Sequence, residues 1–121
     1  MSSYKDLEIF QLTFELSIRV HNASMELPKF ELYEQGSQIR RSSKSVKDNI
    51  VEGYGRRKYK AEYIKFLIYS IASCDETLNH ILTIKKLYPE IKKFTGLEDD
   101  YDKLGRKINN YIQYVESNWN G

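Results

Sequence analysis

Four polar residues, Arg41, Ser45, Asn49 and Glu52, recur at spacings of four, four and three, which on a helix stacks them into one stripe. A guanidinium, a hydroxyl, an amide and a carboxylate in a row can contact a ligand. They can equally satisfy one another and a neighbouring helix, because polar groups taken out of water must be hydrogen-bonded. The stripe lies beside the inward positions Ile39, Ser43, Val46, Ile50 and Tyr54 rather than opposite them, so a structural polar network is the plainer role, with Glu76 as a candidate partner for Arg41. Catalysis has little footing. Ser45 has no sequence-adjacent histidine to activate it, His21 and His80 lack ligand spacing, and no Gly-rich loop precedes a helix. Glu52 and Glu76 could pair for acid–base work or hold a metal between helices, but the Glu-x-x-His signature of di-iron bundles is missing. No catalytic residue, metal or cofactor is expected.

The second chemistry on offer is electrostatic. Residues 1–36 hold three Lys/Arg and six Asp/Glu, residues 37–66 nine and three, and residues 67–121 seven and eight, so a net charge of +2 conceals a segment at +6. Arg40, Lys44 and Lys47 are expected on the outer side of the second helix, and Arg56, Arg57, Lys58 and Lys60 at the joint that follows it. Scattered surface cations mostly keep a protein soluble. Clustering makes these seven, with Arg41 as the eighth, the candidate contacts for a nucleic acid. Tyr54, Tyr59 and Tyr63 lie among them and could stack on unpaired bases, although tyrosines at helical spacing more often belong to a core or an interface.

The elements that must carry these residues are helices. A chain of 121 residues with 30% charged and 40% apolar residues, two Pro and six Gly suits one globular domain, here residues 1–121. The single Cys74 excludes an internal disulfide, the charged N-terminus is no signal peptide, and no apolar run reaches membrane length, which together predict a cytoplasmic protein. Phe10, Leu12, Phe14, Leu16, Ile18 and Val20 alternate with polar residues as in a strand. At 100° per residue, however, Glu8, Gln11, Glu15 and Arg19 join into one polar stripe with a Glu15–Arg19 pair. Ser3 with Asp6 resembles a capping box and Pro28 is a stop, so a helix from about Tyr4 to Glu26 is predicted. Its apolar residues form two flanks, Leu7/Phe10/Phe14/Ile18 and Ile9/Leu12/Leu16/Val20. Either the helix is central in its bundle or another subunit covers one flank.

The second helix should run from the LPKF turn to GYG. The third, from about Tyr59 to Leu87, should pack Tyr63, Phe66, Leu67, Ser70, Cys74, Leu78 and Ile81 inward. A Thr95–Glu98 capping box should open the fourth, with Leu97, Tyr101, Leu104, Ile108, Tyr111, Val115 and Trp119 inward. Four such helices with short connections predict an all-α, antiparallel up-down-up-down bundle.

Glu31 to Gln38 followed by IRRSSKSVKDNIVEGYGRR, EYIKFL and SIASCDE resembles the small four-helix-bundle family of proteins encoded in intervening sequences of large-subunit ribosomal RNA genes. The related accessory variability proteins of diversity-generating retroelements share the pattern. The resemblance covers about residues 28–82 and rests on Gln38, Arg41, Ser45, Asn49, Ile50, Glu52, Gly53 and Arg56, with Ser73 and Glu76. Departures are Ser42, Ser43 and Val51 where alanine is usual, Lys58 where serine is frequent, and Ala72 where glycine is usual. The resemblance implies a non-enzymatic homopentamer whose basic surface engages structured RNA, DNA or a reverse transcriptase. Gathering five copies of the +6 segment would favour polyanion binding through counterion release. The alternative is a protein–protein scaffold with no nucleic-acid role.

Overall fold

The computed structural model describes residues 3–120. Among them are four α-helices, α1 (Glu8–Ser24), α2 (Gln35–Gly55), α3 (Lys60–Leu87) and α4 (Leu97–Asn118), with short 3-10 turns at Tyr4–Asp6, Lys29–Glu31 and Lys92–Phe94, and no strand. Cross-contacts fix the topology. Arg40 meets Ser24, and Lys47 lies over the Phe14 ring. Thr77 bonds Ser42, while Ser70 bonds Val46. Lys85 pairs with Glu98 while Tyr63 meets Tyr111, and Arg19 pairs with Asp100 while Lys107 pairs with Glu8. In every pair the numbering rises on one helix as it falls on the other, which is the up-down-up-down bundle.

The core is built from the expected apolar stripes. Ile39, Val46, Ile50 and Tyr54 of α2, Tyr63, Leu67, Cys74 and Ile81 of α3, and Leu97, Tyr101, Leu104, Ile108 and Val115 of α4 are buried. Thr77, Ile84 and Ile112 join them unannounced, while Phe66, Leu78, Tyr111 and Trp119 are only partly covered. On α1 the two flanks separate. Ile9, Leu16 and Val20 are buried, whereas Phe14 is 47% and Ile18 50% exposed. The helix is therefore not central.

Three local expectations are corrected. The first helix is interrupted: Leu7 is extended and 3% exposed, turning into the core, so Tyr4–Asp6 forms a separate turn whose cap is the Ser3 hydroxyl accepting from the Lys5 N–H. That helix also ends at Ser24, and Pro28 precedes the next turn instead of stopping α1. No capping box opens α4. Gly96, in the left-handed region at φ 85°, stands at the N-cap with no side-chain bond, a geometry open to glycine because it has no Cβ. Finally, Arg19 spans to Asp100 in the first turn of α4 at 2.7 Å rather than pairing with Glu15, because the antiparallel packing of α1 on α4 brings that carboxylate within its reach.

Candidate nucleic-acid interface

The middle of the polar stripe of α2 faces α3, and Ser45 is the stripe residue that bonds across. The Ser45 hydroxyl lies 2.9 Å from that of Ser73, and Asn49 donates to both the carbonyl (2.9 Å) and the hydroxyl (3.0 Å) of Ser45. Below this, Ser70 donates to the Val46 carbonyl at 2.7 Å and Thr77 to the Ser42 hydroxyl at 2.9 Å. Small residues let the helices approach: a Cβ on Gly53 would stand 3.0 Å from the Phe66 Cβ. The ends of the stripe behave differently. Arg41 is exposed and bonds Ser37 at 3.3 Å, while Glu76 sits 3.8 Å from His80. Arg41 and Glu76 form no ion pair with each other among the described residues, so the expected network closes on Ser45, Asn49 and Ser73 without them. Glu52 turns to Arg56 at 2.9 Å.

The eight candidate cations divide by what they already hold. Arg40 is not an outer-face residue. Its guanidinium donates to the Ser24 hydroxyl at 2.8 Å and the Leu32 carbonyl at 2.7 Å, tying the end of α1 and the following turn to α2. Arg56 is held by Glu52 and by Glu62 at 3.1 Å and lies 4.9 Å from the Phe66 ring. The hydrogen bond it donates to Glu52 raises its pKa, and Lys65, with Arg56 behind it, holds the Glu62 carboxyl below its usual range. Lys60 donates to the Glu116 carbonyl at 2.6 Å, satisfying the C-terminal end of α4. Lys47 is mostly covered, 3.8 Å from Asp48 and 5.7 Å from the Phe14 ring centre. Arg41, Lys44 and Lys58 are exposed and, among the described residues, pair with no carboxylate. Of the eight, they and Arg57, whose bond is to the nearby Tyr54 carbonyl, are the cations that no carboxylate or other helix end holds among the described residues.

Arg57 belongs to an aromatic group that the spacing of α2 alone could not reveal. Its guanidinium lies 3.9 Å from the Tyr54 ring centre and donates to the Tyr54 carbonyl at 2.8 Å. The Trp119 indole N–H donates to the Arg57 carbonyl at 2.7 Å, and its ring stands edge-on to Tyr63 at 5.3 Å. The Tyr63 and Tyr111 hydroxyls lie 2.7 Å apart. Burial, with that bond, pushes the Tyr63 phenol above its usual range. Of the three tyrosines read as stacking candidates, only Tyr59 is open, at 63% exposure; Tyr54 and Tyr63 are buried.

Among the described residues no group of three or more His, Cys, Asp or Glu could hold a metal, and no helix is long and apolar enough to cross a membrane.

The profile of the 23S rRNA-intervening sequence protein family matches residues 5–110. The chain belongs to this family. The chain also shares its fold with a crystal structure of a protein with unknown function from the S23 ribosomal protein family of Bacteroides thetaiotaomicron. The two are 20% identical, with a TM-score of 0.73 over 87% of this chain and 98% of that one. No curated protein matches the chain. Of the positions that carry the family resemblance, Ser45, Asn49, Gly53 and Ser73 lie in the α2–α3 seam: Ser45 against Ser73, Asn49 on Ser45, and Gly53 against Phe66.

Proposed function

We propose that this protein is a non-enzymatic accessory protein that self-associates, as a pentamer on the family resemblance, and binds structured RNA or DNA through α2 and the α2–α3 joint. The observation that carries the proposal is the exposure of Arg41, Lys44 and Lys58 on that side without an ion pair among the described residues. Three cations bind a polyanion weakly, whereas several copies side by side neutralise enough phosphates for salt-sensitive affinity. Two apolar surfaces support assembly. Phe14 and Ile18 are about half exposed beside a cavity of about 620 Å³ between α1 and α4. On α3, Ile64, Ile68, Ile71, Leu78 and Leu82 form a second strip, with Ile68 52% and Leu82 47% exposed. Patches of this kind mark association sites.

Those same patches favour the second role, a scaffold for proteins, of which a reverse transcriptase is the partner that the resemblance implies. Titration of a structured RNA and a duplex DNA separates the two. Binding is expected at about 50 mM salt and should fall by roughly 10³-fold at about 200 mM if about six phosphates are neutralised. Replacing Arg41, Lys44 and Lys58 together by Glu should abolish it for every sequence. Light scattering should report several subunits. Failure of both nucleic acids to bind at low salt overturns the nucleic-acid role and leaves the scaffold; a monomer at every concentration overturns assembly.

A further inference from the structure

At the end of the bundle where α2 hands over to α3, a cavity of about 480 Å³ is lined by Tyr54, Arg57, Tyr111, Tyr114 and Trp119, within the roughly 300–1,000 Å³ typical of ligand clefts. Its walls offer four aromatic rings and one guanidinium, with no carboxylate and no aliphatic side chain. The walls are also held in place from behind. Trp119 is fixed by its bond to the Arg57 carbonyl, Tyr111 by its bond to the Tyr63 hydroxyl, and Arg57 by the Tyr54 ring and carbonyl. Tyr114 stands at the mouth, 51% exposed, tilted 31° from Tyr111 at 5.8 Å between ring centres. Lys58, next to Arg57 in the chain, is exposed.

We infer that this cavity takes an unpaired nucleobase of a single-stranded nucleic acid, stacked against Tyr114 and Trp119, with the adjoining phosphate drawn to Arg57 and Lys58. Resting on the nucleic-acid role proposed above, this assigns it a single-stranded element and a residue-level site. Aromatic walls accept any base because every base has a flat π-face, and a guanidinium beside them suits an anion attached to a planar group. An uncharged apolar guest would leave the cation unanswered, and a cationic guest would be repelled by it. Part of the wall comes from α4 and its C-terminal edge, which is why the tyrosines and arginines of α2 alone do not reveal the site.

Trp119 is the only tryptophan in the chain, so its fluorescence reports on this cavity alone. The full-length protein is titrated at low salt with a single-stranded oligothymidylate and with an abasic strand of equal length. The oligothymidylate should quench Trp119 saturably and bind at least fivefold tighter than the abasic strand. Tyr114→Ala, at an exposed position, should weaken oligothymidylate by about 5- to 150-fold, the range for loss of one stacked base, and leave abasic binding unchanged. Tyr114→Phe keeps the ring and should restore the affinity. Equal binding of both strands with Trp119 unquenched overturns the base site while the phosphate-binding role stands. Tyr114→Ala weakening both strands alike also overturns the base site. If neither strand nor any duplex binds at low salt, the site and the role on which it rests fall together.

Discussion

Arginine 40 shows how little a residue's type says about its task. It reads as one more cation on a basic helix, yet two of its N–H groups are spent on Ser24 and on the Leu32 carbonyl. Lys60 likewise serves a helix end, whereas Lys44 touches nothing charged among the described residues. Such partners come from other elements, so the sequence separates a basic segment from an acidic one but cannot say which cations are committed. Buried acids tell a second residue-level story. Desolvation, with Asp75 and Asp102 nearby, pushes the Cys74 thiol up to about 12, and burial raises the phenols of Tyr63, Tyr101 and Tyr111. These groups keep their protons when folded. Unfolded, they release them near pH 8.5 for the thiol and about pH 10 for the phenols. The folded state therefore holds more protons at alkaline pH, and stability, fully present below about pH 8.5, falls as pH rises through 9 to 11. Melting followed by circular dichroism should show Tm flat near neutrality and declining by several degrees over that span, about 4 °C for each kcal/mol lost. Cys74→Ala should remove the earliest part of the decline.

At the scale of elements, the α2–α3 seam is held by small polar residues, of which the sequence stripe points to Ser45 and Asn49. Ser42, Ser45, Ser70, Ser73 and Thr77 are small enough to let two backbones approach and polar enough to bond across the gap. Gly53→Ala would set a Cβ 3.0 Å from the Phe66 Cβ and 3.4 Å from the Tyr63 carbonyl oxygen, neither of which is a yielding side-chain tip. It should cost about 1–3 kcal/mol by overpacking, read as a lower denaturant midpoint. Gly55→Ala, with nothing within 4 Å of the added Cβ, should be neutral or stabilise by up to about 1 kcal/mol. The helices themselves were legible because apolar spacing of three and four needs no tertiary knowledge, as Leu97, Tyr101, Leu104 and Ile108 illustrate. Their ends were not. The start of α1 depends on Leu7 being drawn inward and that of α4 on the φ of Gly96, and both are settled by what packs around them. The aromatic cavity is half legible, since Tyr54 and Arg57 stand together in the basic segment but Trp119 reaches Arg57 only through the fold.

For the molecule as a whole, charge and greasy surface have to be weighed together. One copy presents few uncommitted cations on the α2 side and two apolar strips, and covering those strips with further copies is also what would multiply the cations. The connections add a kinetic corollary. Only Arg56–Tyr59 separates α2 from α3, while residues 25–34 separate α1 from α2 and residues 88–96 separate α3 from α4. Closing the shortest loop loses the least chain entropy, and it joins the pair with the cross-bonded seam. The central hairpin should therefore nucleate folding, with the outer two helices docking afterwards. In native-state hydrogen exchange the amides of Val46, Ile50, Leu67 and Ser70 should be the last to exchange, and those of α1 should open first through partial unfolding. A protein ordered this way can shed and regain its first helix while the rest of the bundle persists.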